Sequence, residues 1–281
     1  MGREVAVVTD STAYLPAGLA ERHGITIVPL QIVIGGEVRD EGEITTAETA
    51  RALKEWRPVT TSRPSPERFA HAFKTAAGGG AGAVVSVHLS AAMSGTVEAA
   101  RLAAEDAPVP VHVVDSGTIG LGLGFSALSA AAAALEGASA GDVVAAAKRR
   151  AETSRSLFYV DTLEHLRRGG RIGAAATLLG SALMVKPLLG IEDGRIAPLE
   201  KVRTSSRALA RLTELAVAAA GDRPVDVGVQ HLAAAGRAET LAQNLRDRIP
   251  RVQDVHVGEV GPVIGAHVGP GMVGVVVAPR R

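Results

Sequence analysis

The chain contains no cysteine, and of its 281 residues only four Phe, two Tyr and one Trp are aromatic. Without cysteine there can be no disulfide, thiolate zinc site, iron–sulfur cluster or thiol nucleophile, and a reducing cytoplasm is the expected location. The scarcity of rings argues against base stacking. Neither sign of charge is in excess, with 30 Lys plus Arg against 29 Asp plus Glu. A phosphate-backbone binder would show a basic excess, so nucleic acid is not an expected partner.

Several chemical motifs are also missing. There is no G-x-x-x-x-G-K-[ST] phosphate loop, no H-E-x-x-H and no G-x-S-x-G elbow. Gly120, Gly122 and Gly124 do not have G-x-G-x-x-G spacing, and helix packing accounts for them better. The eight histidines are scattered singly, so neither a metal nor a cofactor is expected. Two stretches lack formal charge, Ser116–Leu135 and Val260–Pro279. The first is rich in Gly, Ala and Ser, and the second holds His267 among Gly and Pro. They read as a buried helix and a strand–loop–strand, not as membrane spans. The opening Met-Gly-Arg-Glu and the short apolar run to Asp10 do not read as a signal peptide.

What is present is aliphatic. Hydrophobic residues make up 47% of the chain, mostly Ala, Val, Leu and Ile, enough to offset chain entropy and exclude intrinsic disorder. In the first half, apolar strands alternate with amphipathic helices. Strands are expected at Val5–Thr9, Ile25–Ile34, Ala83–His88 and Val111–Val114. Helices are expected from Pro16, from the Thr45/Glu48 capping box, from Ser65-Pro66, and over Gly95–Ala104, Thr118–Leu135 and Ala140–Ser154. This predicts an α/β domain with a largely parallel sheet over residues 1–154.

In the second half, Leu157–Val160 is expected as a strand. A helix ends near Arg168-Gly169-Gly170, and another covers Ile172–Ala182. Strands Met184–Ile191 and Arg195–Lys201 flank the Asp193-Gly194 hairpin turn. Helices Ser206–Ala220 and Gly236–Arg248 alternate with strands Val225–Gln230, Val252–Glu259 and Val273–Ala278. This predicts a mixed-sheet α+β domain over 155–281, with a single boundary near Ser154.

The candidate site lies in hydroxyl-rich segments. Asp10-Ser11-Thr12, Ser90 with Ser94-Gly95-Thr96, and Asp115-Ser116 each follow a strand. Thr60-Thr61-Ser62 precedes a helix. In an open α/β sheet such loops gather at the carboxyl ends of the strands, where ligands bind. Ser, Thr and Asp also cap helices, so any one loop has a structural explanation. Together, hydroxyls and free helix N–H groups can hold an anion without a cation.

Taken in order, these segments resemble the DegV family of bacterial fatty-acid-binding proteins. The resemblance runs through Val8-Thr9-Asp10-Ser11-Thr12-Ala13, Thr61-Ser62-Arg63-Pro64-Ser65-Pro66, Ser94-Gly95-Thr96 and Asp115-Ser116. It continues through Leu166-Arg167-Arg168-Gly169-Gly170-Arg171-Ile172, Lys186-Pro187 and the closing Gly265-Ala266-His267-Val268-Gly269-Pro270-Gly271. It implies two α/β domains with a long-chain fatty acid in a tunnel between them and no catalysis by the chain itself. Thr61 and Ser94, with Ser62 and Gly95 beside them, would hold the carboxylate, and His267 would lie close to it.

The resemblance further implies a partner kinase with a dihydroxyacetone-kinase-like fold that makes an acyl-phosphate. Arg171 and Arg203 would dock that kinase. Where family members often have a second serine this chain has Ala91, and Val268, Tyr14 and Arg63 also depart from the family pattern. The main alternative is a serine hydrolase or acyltransferase using Ser94 and His267 with an Asp such as Asp115. A third reading is a module for another anionic lipid or small acid. The energetics suit an acyl chain. At about 0.8 kcal/mol per buried CH₂, sixteen carbons gain on the order of 10 kcal/mol before ordering costs. The carboxylate must then be hydrogen-bonded. Asp10 is expected to organise its own loop, and Lys186 is given no role.

Overall fold

The structure is a computed structural model that describes residues 4–179 and 186–280. In chain order the first strands and helices are β1 (Val5–Asp10), α1 (Leu19–His23), β2 (Ile25–Val28), β3 (Gln31–Ile34), β4 (Glu37–Asp40), α2 (Thr46–Lys54) and β5 (Val59–Ser62). There follow α3 (Pro66–Gly78), β6 (Ala83–His88), α4 (Thr96–Glu105), β7 (Val111–Asp115), α5 (Leu121–Leu135) and α6 (Ala140–Thr153). The second half holds β8 (Arg155–Tyr159), α7 (Glu164–Arg168), β9 (Lys186–Glu192), β10 (Arg195–Val202), α8 (Ser205–Ala220) and β11 (Val225–His231). The last elements are α9 (Ala235–Arg248), β12 (Val252–Glu259), α10 (Pro262–Val268) and β13 (Val273–Pro279).

The chain divides into two compact units. The first comprises residues 1–31 and 62–153. Its sheet has the order β2-β1-β6-β7, and every pairing is parallel. Parallel strands need cover on both faces. Here α3 and α4 pack Phe69, Phe73, Ala99 and Ala100 against Val8 and Val84, while α5 and α6 also lie against this sheet. Ala-rich α5 has ten buried residues, so the uncharged stretch around it is a core helix.

The second unit comprises residues 32–61 and 154–281. Its main sheet runs β10-β9-β8-β13-β11-β12 and is mixed, because β11 pairs parallel with β12 and antiparallel with β13. The Val-rich β13 lies between β8 and β11 with all seven residues buried, which explains its unbroken apolar run. Helices α8 and α9 cover the sheet with Leu212, Ala216, Leu241 and Leu245. The Asp193-Gly194 turn joins β9 to β10 with positive φ at both residues. A small sheet, β4-β3-β5, shares a core of Ile32, Ile34, Ile44 and Ala52 with Ala266 of α10.

This division differs from a single cut at Ser154, because residues 32–61 fold with the second unit. The local pattern of a hairpin and a helix does not reveal which core it joins. That is decided by contacts such as Ile32 and Ala52 with Ala266, far away in sequence. The expected strand Ile25–Ile34 is two strands in different sheets, broken where Pro29 lacks an N–H to donate. Thr60–Ser62, expected as a loop, lies in strand β5. The expected helix over Ile172–Ala182 is a short 3₁₀ turn, Gly173–Leu178. Its last three residues, like Met184 and Val185 of the expected strand, lie outside the described residues. The expected strand–loop–strand at the end of the chain begins instead with helix α10. Among the described residues no helix is long and apolar enough to cross a membrane.

Candidate functional site

Three of the hydroxyl-rich loops lie at the carboxyl ends of β1, β6 and β7 in the first unit. Asp10 anchors them. Wholly buried, it accepts hydrogen bonds from the Thr12 amide at 3.1 Å and the Leu89 amide at 3.0 Å, and from the Thr12 hydroxyl. Its Oδ2 also lies 3.0 Å from His88 Nδ1, and His88 Nε2 lies 2.6 Å from Ser86 Oγ. A buried carboxylate is tolerated when its lone pairs are used in this way. Asp10 thus reaches beyond its own loop to tie the ends of β1 and β6 together. The buried His88 and Ser86 were not legible in sequence, where they read as two more residues of an apolar strand.

Beyond Leu89, the loop to α4 is held by its own backbone and by the Asp115 carboxylate. Ser94 N–H donates to Ser90 C=O at 3.1 Å, and Ala91 N–H donates to Asp115 Oδ1 at 3.2 Å. The Ser94 hydroxyl is half-buried and lies 2.8 Å from Thr96 Oγ1. Gly95 caps α4. A Cβ there would stand 2.2 Å from an Arg63 guanidinium nitrogen, so Arg63 lies across the Ser94-Gly95-Thr96 turn. Hydroxyls and helix N–H groups need no cation to hold an anion, yet the fold places one beside this turn. Ser62 Oγ donates to Gln31 Oε1 at 3.3 Å.

Thr61 and His267 belong to the second unit. Thr61 lies in β5. His267 lies near the end of α10, a helix started by Pro262 and fastened where Val263 N–H donates to the buried Glu41 carboxylate at 2.8 Å. The expectation that His267 sits in a Gly/Pro-rich turn is therefore corrected: it stands on a helix whose other residues are buried. A hydrogen bond of 2.9 Å joins Thr61 Oγ1 and His267 Nε2. Burial lowers the His267 pKa to about 4, helped by the Arg171 charge, so the ring is neutral at pH 7.

The Leu166–Ile172 motif packs against this histidine. Gly170 has φ +69 and forms the turn after α7. Gly169 has an ordinary φ, but a Cβ there would stand 2.1 Å from His267 Nδ1. Gly269 approaches His165 just as closely, with a Cβ 2.1 Å from its Cδ2. His165 stacks on Trp56 at 6.2 Å, and the Arg168 guanidinium sits 4.6 Å above the Trp56 ring. Arg167 and Arg168 both clamp Glu164, holding its carboxyl down at about 2. Arg171 is exposed and donates to Gly169 C=O at 2.7 Å. Arg203 is exposed in the bend after β10, one residue past the strand.

In the first unit the Ser94–Thr96 turn with Arg63, and in the second the Thr61–His267 pair, each present groups able to hydrogen-bond an anion. Among the described residues no group of three or more His, Asp or Glu could hold a metal. Asp115 accepts from the Ala91 and Gly117 amides, using its Oδ1 to shape a loop.

Comparison with known proteins agrees with the motif order. The model of the DegV family, described as uncharacterised proteins, matches residues 4–280. The chain belongs to the DegV family. A DegV domain-containing protein of Streptomyces coelicolor is 59% identical over the whole of both chains. A DegV family protein from Thermus thermophilus, its structure described as showing fatty acid binding, superposes with a TM-score of 0.94. It is 35% identical and covers 99% of this chain and 100% of its own. DegV of Bacillus subtilis, described as a fatty acid binding protein, superposes at 0.90 with 34% identity and the same coverage.

Proposed function

We propose that this DegV protein binds a long-chain fatty acid and does not itself catalyse a reaction. The observation that carries this reading is the full-length likeness to two fatty-acid-binding DegV structures at TM-scores of 0.94 and 0.90. The carboxylate is held by the Thr61 and Ser94 hydroxyls, with Ser62, Gly95 and His267 around them. Charge-assisted hydrogen bonds of this kind offset the cost of removing a carboxylate from water. Extraction of the purified protein into organic solvent, followed by mass spectrometry, should recover a fatty acid. Recovery of none, together with no binding of added oleate or palmitate, sinks the proposal.

The same reading includes a partner kinase of dihydroxyacetone-kinase-like fold that phosphorylates the bound acid. Arg171 and Arg203 are exposed, which supports a docking role. Arg171→Ala should leave oleate affinity unchanged and reduce acyl-phosphate formation in a reconstituted assay. Loss of oleate binding in that variant would refute the separation of docking from binding. The hydrolase alternative has less support: His267 is engaged with Thr61, the Ser94 hydroxyl with Thr96, and Asp115 with backbone amides. Turnover of p-nitrophenyl esters abolished by Ser94→Ala would favour that alternative.

A further inference from the structure

We infer that Gly169 fixes His267 as the tautomer protonated on Nε2, and thereby makes Thr61 a hydrogen-bond donor toward the ligand. This inference rests on the carboxylate-binding reading for its purpose, though not for its geometry. The imidazole is engaged on both nitrogens by different means. Nε2 lies 2.9 Å from Thr61 Oγ1. Nδ1 is out of contact with solvent and has no hydrogen-bond partner among the described residues. What faces Nδ1 is Gly169. Its Cβ, if present, would stand 2.1 Å from Nδ1 and 2.8 Å from Cε1. The Gly169 C–H that points along this direction therefore fills the space a proton on Nδ1 would need. A ring lone pair accepts an approaching C–H, whereas an N–H would collide with it.

The backbone at Gly169 is unremarkable in torsion, with φ −74. Glycine is required here for close approach, in contrast to Gly170, whose φ of +69 demands it on conformational grounds. A proton on Nδ1 would also be a buried donor without an acceptor, which is unfavourable. The proton of the neutral ring therefore belongs on Nε2, from which it donates to Thr61 Oγ1. The Thr61 hydroxyl proton is then turned away from the ring. In the opposite tautomer Thr61 would give its proton to Nε2 and present only lone pairs to an anion. Burial keeps the ring neutral, which preserves this polarity.

The ring is held by a reciprocal contact. Two residues after His267, Gly269 lies flush against His165, and four residues after His165, Gly169 lies flush against His267. Two glycine-bearing motifs about 100 residues apart thus interlock, each glycine receiving the other motif's histidine. Gly169 is a positioning residue: it acts on the head group through His267 and Thr61.

Nitrogen-15 NMR of the ligand-free full chain, labelled at histidine, tests this directly. The expected result is an imine-type nitrogen at Nδ1 and a protonated one at Nε2; the reverse assignment overturns the inference. Gly169→Ala should displace the ring, remove the Thr61 bond and weaken oleate binding by about ten-fold or more. Gly170→Ala should lower stability, because a φ of +69 strains an L-residue, yet keep the tautomer and the oleate affinity, because nothing lies within 4 Å of its added carbon. Unchanged tautomer and affinity in Gly169→Ala would refute the role of Gly169. Should that variant fail to fold, His267→Gln, which extends an amide N–H toward the Nε2 position, should bind oleate about ten-fold more tightly than His267→Leu. Equal affinities would overturn the inference. If the wild-type protein binds no oleate, the fatty-acid reading fails while the nitrogen assignment still decides the tautomer.

Discussion

The Ser94 cluster and the Thr61–His267 cluster offer the same kind of atom by different constructions. Around Ser94 the geometry is set by backbone. Loops leave the ends of parallel strands, their amides are bonded by Asp10, Ser90 and Asp115, and the hydroxyl follows from the turn. Around Thr61 the geometry is set by side-chain approach. A ring is pressed between a hydroxyl and a glycine, and removal of one methyl's worth of space at Gly169 makes this possible. The first construction is anchored by a buried carboxylate, the second by a buried neutral imidazole. They should therefore fail in different ways.

The largest expected effect tests the carboxylate. Asp10→Ala strands the Leu89 and Thr12 amides and the His88 ring in a dry interior. It should cost about 3–5 kcal/mol of stability in chemical denaturation. A loss below about 1 kcal/mol would show that Asp10 is not the anchor of this unit. The next tests the hydroxyls together. Thr61→Val with Ser94→Ala should weaken oleate binding by about 100-fold, as expected for two hydrogen bonds to a charged group. Either change alone should give part of that loss.

A third prediction separates the clusters by pH. The folded pKa of His267 is about 4 against an ordinary value of 6.5. Between these values the unfolded chain binds more protons, so stability should fall as pH drops from about 6.5 toward 4. The contribution is complete above pH 6.5 and amounts to on the order of 3 kcal/mol. His267→Gln should flatten that part of the stability–pH profile; an unchanged slope would deny the imidazole its role. The smallest expected effect concerns Arg63, which lies exposed across Gly95. Arg63→Gln should weaken oleate binding by about three-fold at low salt and less at high salt. An effect independent of salt would assign Arg63 to packing.

The two clusters also differ in how far sequence reveals them. Strands β6 and β12 were legible to the residue, because Gly, Pro or Ser residues flank both. The Thr45/Glu48 capping box was legible too, with Glu48 N–H donating to Thr45 Oγ1 at 3.1 Å. So were the loops after β1, β6 and β7, since a strand followed by Asp, Ser or Thr and then a helix is a local pattern. The Thr61–His267 pair was not legible as geometry. Thr61 lies in a four-residue strand whose sheet forms only when residues 32–61 join α10, and α10 is seven residues of Gly, Pro and apolar side chains with little periodicity. The family resemblance named both residues without showing that they bond to each other. Likewise, glycine at 169 reads in sequence as the end of a helix, whereas its purpose is the distant ring that presses on it.

The most direct test of the central claim is calorimetric titration of the delipidated protein with palmitate and, in parallel, with methyl palmitate. The two share an acyl chain and differ in the charge of the head group. Binding through the Thr61 and Ser94 hydroxyls predicts saturable binding of the acid and affinity for the ester lower by about 100-fold. Equal affinity for acid and ester would contradict a carboxylate site, and no binding of either would contradict the fatty-acid function itself.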